Sequence, residues 1–184
     1  MATDQTHSNI DEQTKSFLEQ LGVPVPPPPV LFTYSVKIVC GKQTGTNCCC
    51  IAGTRPGVYA TEVNIQNFNY AEALVFKFVQ PLINLGAVVA REPNLTGPLP
   101  LPSRQGELLK IPPFLATMDD CCKIADMLTP QSGETPLTIA ILSIMSTVEL
   151  SVSAVYTANP LTGDGISIDV EYIPSRLLGL RGRG

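Results

Sequence analysis

Cysteine is the reactive side chain that this sequence concentrates. Six stand at Cys40, Cys48, Cys49, Cys50, Cys121 and Cys122. A thiol can pair as a disulfide, ligate a soft metal ion, attack as a nucleophile or pack as a small hydrophobe. Spacing separates these roles. Thiolates at Cys40, Cys48, Cys50 and Cys121 could in principle supply four soft ligands, but runs such as CCC and CC are not the C-x₂₋₄-C knuckles of structural zinc or the spacings of iron–sulfur proteins. A nucleophile needs a base, and His7, the single histidine, falls in the aperiodic N-terminal stretch. A helix N-terminus near Cys121 and Cys122 favours a thiolate, whereas Asp119 and Asp120 beside them oppose it. Disulfides remain. In an extended segment Cys48 and Cys50 point to one side and Cys49 to the other, so a closed internal set is awkward and some thiols are expected to face another chain.

Other constellations read more simply as structure. Asp119 and Asp120 are expected as first-turn acids that complement a helix dipole. Gly163-Asp164-Gly165 lacks the run of oxygen ligands of a calcium loop. Asn94-Leu95-Thr96 matches a glycosylation sequon, meaningful only in a secretory eukaryotic setting. The closing RGRG is too short, in a chain of net charge -4, to outrank a flexible tail. No catalytic residue, metal site or cofactor is expected.

The elements that must position the cysteines are mostly strands. The longest apolar run, Leu137 to Thr157, reads as two strands forming a central hairpin. In LFTYSVKIVC, Phe32, Tyr34, Val36, Ile38 and Cys40 alternate with Thr33, Ser35 and Lys37, the period of a half-buried strand. Residues 41–57 form a loop of turn formers around the cysteine triplet. A second strand follows over Val58–Phe68, with Tyr59, Val63 and Ile65 opposite Glu62, Asn64 and Gln66. Leu74, Phe76 and Phe78 mark a third, ended by Pro81, and Leu82–Arg91 is a weaker fourth. The Pro/Gly-rich stretch 93–106 is long enough to cross between sheets. Glu107–Ile111 is a short strand stopped by Pro112-Pro113. Thr117 is expected to cap one helix, TMDDCCKIADML, with Ile124, Ala125 and Leu128 inward. Ile166, Ile168, Val170 and Tyr172 alternate with Ser167, Asp169 and Glu171 as a last strand.

This pattern predicts an all-β fold: an antiparallel β-sandwich, jelly roll or immunoglobulin-like, over residues 31–175, with one short crossover helix. An arm of residues 1–30 precedes it. In the arm, Ile10, Phe17, Leu18 and Leu21 line one face of a short amphipathic helix that Gly22 ends, and Val23–Val30, rich in proline, makes a semi-rigid spacer. Residues 176–184 are expected as a flexible tail.

The combination Val39-Cys40-Gly41, RPGVYATEVNIQN over Arg55–Asn67, ATMDDCC over Ala116–Cys122, Leu137-Thr-Ile and VYTA over Val155–Ala158 resembles a family of small, uncharacterised bacterial single-domain β-sandwich proteins. The likeness spans roughly residues 34–173. It implies a shared β-domain and brings no reaction or substrate. In layout alone, an arm, consecutive cysteines and one sandwich are similar to subunits of disulfide-linked bacterial spore appendages, without a residue-level match.

Composition narrows the function. Hydrophobic residues make up 44% of the 184 and charged ones 15%, a low charge that is expected where neighbours cover surface. The acidic balance argues against nucleic-acid or anionic-membrane partners. Met1–Asn9 shows no export signal, and Leu137–Met145 is too short to span a bilayer. The expected function is a non-enzymatic subunit that assembles with copies of itself into a filament, tube or shell. Arm exchange would join subunits and cysteines would lock the contact, in an extracellular or cell-surface setting if disulfides form. A thiolate metal-binding or redox module is the alternative. A carbohydrate-binding module finds little support, since tryptophan is absent and aromatics are 6%.

Overall fold

A computed structural model of the chain describes residues 30–44, 56–84, 87–88, 106–128, 136–161 and 165–179. The cysteine triplet, the crossing stretch 93–105 and the arm up to residue 29 lie outside them. The chain divides into two compact units: Phe32–Arg176, and Met1–Leu31 together with Leu177–Gly184. Of the second, the described residues are Val30, Leu31 and Leu177–Gly179.

Ten strands and one helix occur among the described residues: β1 (Val30–Gln43), β2 (Gly57–Gln66), β3 (Ala73–Asn84), β4 (Ala87–Val88), β5 (Glu107–Ile111), β6 (Ala116–Asp119), α1 (Cys121–Leu128), β7 (Thr138–Ser146), β8 (Ser151–Pro160), β9 (Ser167–Tyr172) and β10 (Arg176–Gly179). The ladders between them with defined register are antiparallel, so the fold is all-β with one short helix.

The strands form two ladders joined through β1. In the first, β7 lies between β1 and β3, and β3 also pairs with β5 and β4. In the second, β2 pairs with β8 and β6, and β8 pairs with β9. β1 changes ladder between two residues: Cys40 is opposite Thr138 of β7, whereas Gly41 is opposite Tyr59 of β2. Gly41 adopts φ 100°, where a Cβ would be strained. Just before the switch, the buried Thr61 hydroxyl accepts from Val39 N and donates to Val39 O (2.9 and 3.1 Å), so a side chain supplies β1 with a partner on that edge.

Period-2 alternation builds the core. Tyr34, Val36, Ile38 and Cys40 of β1, Val75 and Val79 of β3, and Leu142 and Ile144 of β7 join Val63 and Ile65 of β2, Val152 and Ala154 of β8, and Ile124 and Met127 of α1. Side chains from both ladders therefore share one apolar cluster. Tyr34 closes one end: its hydroxyl donates to Leu150 O (3.0 Å) and accepts from Leu150 N (2.6 Å). Buried Asn67 fastens another. Its Nδ2 donates to the carbonyls of Ala71 and Ile111, and its Oδ1 accepts from Asn69 N.

Four local expectations are corrected. β7 and β8 are both strands, but they do not form a hairpin: β7 has β1 and β3 on its two edges, and β8 has β2 and β9. The unbroken apolar run of β7 reflects that central position, since Ile139 is buried in a second small cluster with Ile83 and Leu137. Pro81 does not end β3, which continues to Asn84 across a register shift between Pro81 and Ile83, an irregularity that tolerates a missing amide. Of the region read as one weak strand, Leu82–Arg91, the described residues belong to the end of β3 and the two-residue β4. Finally, Thr117 is not a helix cap. Residues 116–119 pair with β2, and α1 begins at Cys121, with Asp120 Oδ1 accepting from Lys123 N at 2.9 Å as the cap.

Candidate functional site

Two features depart from the rule of apolar inside and polar outside, and both lie in places the topology defines. The first is a charged cluster in the seam between the ladders. Lys77 occupies the inward phase of β3, between Val75 and Val79, and is 2% exposed; Asp119, the last residue of β6, is 1% exposed. Lys77 Nζ lies 2.6 Å from Asp119 Oδ1 and 2.9 Å from Oδ2. Glu107 of β5 stands directly across the ladder from Lys77. Its Oε2 is 3.3 Å from Lys77 Nζ, close enough for an ion pair but not aligned as a hydrogen bond, so that buried oxygen has no hydrogen-bond partner. Glu107 Oε1 accepts from Lys123 Nζ of α1 at 2.8 Å. The buried Lys77–Asp119 pair is thus charge-balanced, as burial of charge requires, and the partly exposed Glu107 and Lys123 balance each other at its edge. Burial alone would push the Glu107 carboxyl up, but Lys123 and Lys77 outweigh it and hold it below its ordinary value.

Two residues beyond Asp119, a disulfide repeats the connection. Cys40 of β1 is bonded to Cys121 at the start of α1, with Cα atoms 5.7 Å apart and a sequence separation of 81. Thr61 N points at Cys121 Sγ from 3.3 Å. The segment from Asp119 to Cys121 is therefore tied to the first ladder at both ends, by an ion pair to β3 and a covalent bond to β1. Cys122, the next residue, is a free and exposed thiol.

The second feature is β9. In an antiparallel pair, directly opposed residues share a face. Ala154 of β8 points inward, so Ser153, Val155 and Thr157 point outward; opposite these three stand Tyr172, Val170 and Ile168. The apolar side of β9 hence faces away from the core, and Ile168, Val170 and Tyr172 are 64%, 65% and 63% exposed. Its polar side carries Asp169 and Glu171, and Tyr156 donates its hydroxyl to Glu171 Oε2 at 3.0 Å. Burial, and then the carboxylate at that bond, push the Tyr156 hydroxyl up to about 12. Among the described residues β9 pairs with β8 alone, which leaves its other edge open.

The sequence-predicted residues divide accordingly. Cys40 and Cys121 are brought together, Cys122 lies beside them, and Cys48, Cys49 and Cys50 fall outside the described residues, as do Ile10, Phe17, Leu18 and Leu21 of the arm. Asp119 is not a first-turn acid but the buried partner of Lys77. Lys77, Glu107 and Asn67 were not foreseen, although a lysine in phase between Val75 and Val79 is a legible sign of a buried charge. Among the described residues no group of three or more His, Cys, Asp or Glu could hold a metal ion, and no helix is long and apolar enough to cross a membrane. An open cleft of about 560 Å³ lies beside Tyr34, Phe78, Met145, Glu171 and Arg176.

No protein family and no curated protein matches this chain. Among solved structures it is similar to one titled "Crystal Structure of Thermotoga maritima 1070", at 10% sequence identity and a TM-score of 0.40, over 79% of this chain and 92% of that one. A likeness at that level carries no argument.

Proposed function

We propose that this protein is a structural β-domain subunit that assembles with copies of itself into a filament, tube or shell. The observation that carries the reading is β9: an edge strand exposed on both faces, its apolar side included, with its hydrogen-bonding edge open among the described residues. Such an edge pairs with other chains unless it is blunted, and covering its face removes apolar area worth about 25 cal/mol per Å². In this reading the arm of one subunit, through Ile10, Phe17, Leu18 and Leu21, lies on the face of the next, and repetition of that unlike contact makes an open polymer or a closed ring. Exposed Cys122 and the triplet Cys48–Cys50 then cross-link neighbours, while the Cys40–Cys121 bond braces each subunit.

The metal-binding alternative has less to stand on, because Cys40 and Cys121 are consumed by the disulfide and a thiolate site needs them reduced. Negative-stain imaging of the full chain beside one lacking residues 1–30 tests the proposal. Polymers that vanish only in the shortened chain support arm exchange; identical monodisperse particles in both refute it. Non-reducing electrophoresis reads the cysteines: a ladder that collapses with reductant supports cross-linking, and stoichiometric metal by elemental analysis favours the alternative.

A further inference from the structure

The Lys77–Asp119–Glu107 cluster holds the parts of a bond-forming reaction. We propose that Lys77 and Asp119 condense in the folded protein to a side-chain amide, with Glu107 carrying the proton, so that β3 and β6 become covalently joined. This inference is independent of the assembly reading and stands or falls without it.

The reactants are in contact and enclosed. Lys77 Nζ touches both oxygens of Asp119 at 2.6 and 2.9 Å, and the two residues are 2% and 1% exposed. Holding an amine on a carboxyl replaces an encounter in solution by an effective concentration that no free reagent reaches. Ile144 stands opposite Lys77 in β7 and Val63 opposite Asp119 in β2, so the walls beside the reactants are apolar. Two charges buried among apolar side chains are costly; an amide removes both, and the water it releases can leave for solvent. In water the same condensation is unfavourable, so the fold supplies the driving force.

A third group is placed to move the proton. Glu107 Oε2 lies 3.3 Å from Lys77 Nζ with no hydrogen bond of its own, while Lys123 fixes the other oxygen at 2.8 Å. The free oxygen is therefore held close to the amine, 3.3 Å away, and a small rotation would bring it into line to take a proton. Glu107 accepts a proton from the Lys77 ammonium, and the neutral amine attacks Asp119 Cγ. The N–C bond forms as the C=O electron pair moves onto oxygen. Glu107 returns its proton to the departing Asp119 oxygen, and the second nitrogen proton follows as the C–O bond breaks. One amide and one water result, Glu107 is regenerated, and no electron donor, acceptor or co-reactant is consumed. Asp119 and Cys121 would then be covalently anchored to β3 and β1, the two strands that flank β7.

Intact mass spectrometry of the full chain, denatured, reduced and alkylated at all cysteines, decides the matter. The expected mass is lower by one water than the sequence requires, with a tryptic digest that is uncut at Lys77 and yields a branched peptide joining it to the Asp119 segment. That branched peptide separates an amide from a succinimide formed at Asp119 alone. Lys77→Arg and Asp119→Ala should restore the full mass, and Glu107→Gln, which keeps both reactants, should lower the modified fraction at least tenfold in a protein that still melts cooperatively. A folded wild-type protein of full mass overturns the proposal without recourse to any variant, and water loss undiminished in Glu107→Gln overturns the role of Glu107.

Discussion

The seam at Lys77 and the outer face of β9 break the same rule in opposite directions. One puts charge inside, the other puts aliphatic and aromatic side chains outside. In the seam the charges are matched within the chain, Lys77 by Asp119 and Glu107 by Lys123, with one Glu107 oxygen lacking a hydrogen bond. On β9 no complement is found among the described residues, and Ile168, Val170 and Tyr172 stay open. The difference teaches that an exception to binary patterning is informative in proportion to what is left uncompensated. The seam ties β3, β5, β6 and α1 together within one chain; the open face is the surface on which the proposed self-assembly rests.

The comparison is broken most sharply by removing one member of the buried pair. Asp119→Ala should destabilise the fold by about 3–5 kcal/mol in urea unfolding, because it strands a buried cation. A double replacement, Lys77→Met with Asp119→Leu, should recover a large part of that loss. A mild effect of Asp119→Ala would mean that Lys77 is not held in the interior as a charge that depends on Asp119. Next in size, Cys40→Ala with Cys121→Ala should cost about 2–4 kcal/mol, since the bond closes a long loop, read as a lower denaturation midpoint under oxidising conditions and little difference under reducing ones.

A smaller effect belongs to Glu107. Its folded pKa lies below its ordinary 4.5, so its contribution is fully present above that value and is lost as pH falls through the folded pKa. Stability should therefore decline on acidification below the ordinary carboxylate range, and Glu107→Gln should flatten that decline. The amplitude should stay under about 1 kcal/mol, because the side chain is a third exposed and solvent screens the pair. Smallest of all is the effect of β9 on the isolated fold: lysine at Ile168 or Val170 should change unfolding stability by no more than about 0.5 kcal/mol.

Much of this organisation was legible in the residues. Alternation in Tyr34–Cys40 and in Val63–Ile65 identified both strands and their buried sides, because period 2 against a core leaves little freedom of register. The alternation of Ile166–Tyr172 found β9 as well, but alternation alone does not say which face meets the core; that depends on pairing with β8. Strand partners escaped for a similar reason. β7 and β8 are neighbours in sequence and read as a hairpin, yet each prefers a slot between two other strands. The helix start failed through competition: Thr117 is a good cap in isolation, but pairing of residues 116–119 with β2 outweighs local propensity. The Lys77–Asp119 contact joins residues far apart in sequence, and nothing local announces it beyond the phase of Lys77 in β3.

The account rests on the claim that β9 presents a face meant for another copy of the chain. Sedimentation velocity of the full chain over a wide concentration range, beside an Ile168→Lys, Val170→Lys double variant, tests it most directly. Concentration-dependent assemblies in the wild type that give way to monomer in an equally stable variant are predicted. A wild type that stays monomeric throughout, or assemblies that the two lysines leave unchanged, would contradict it.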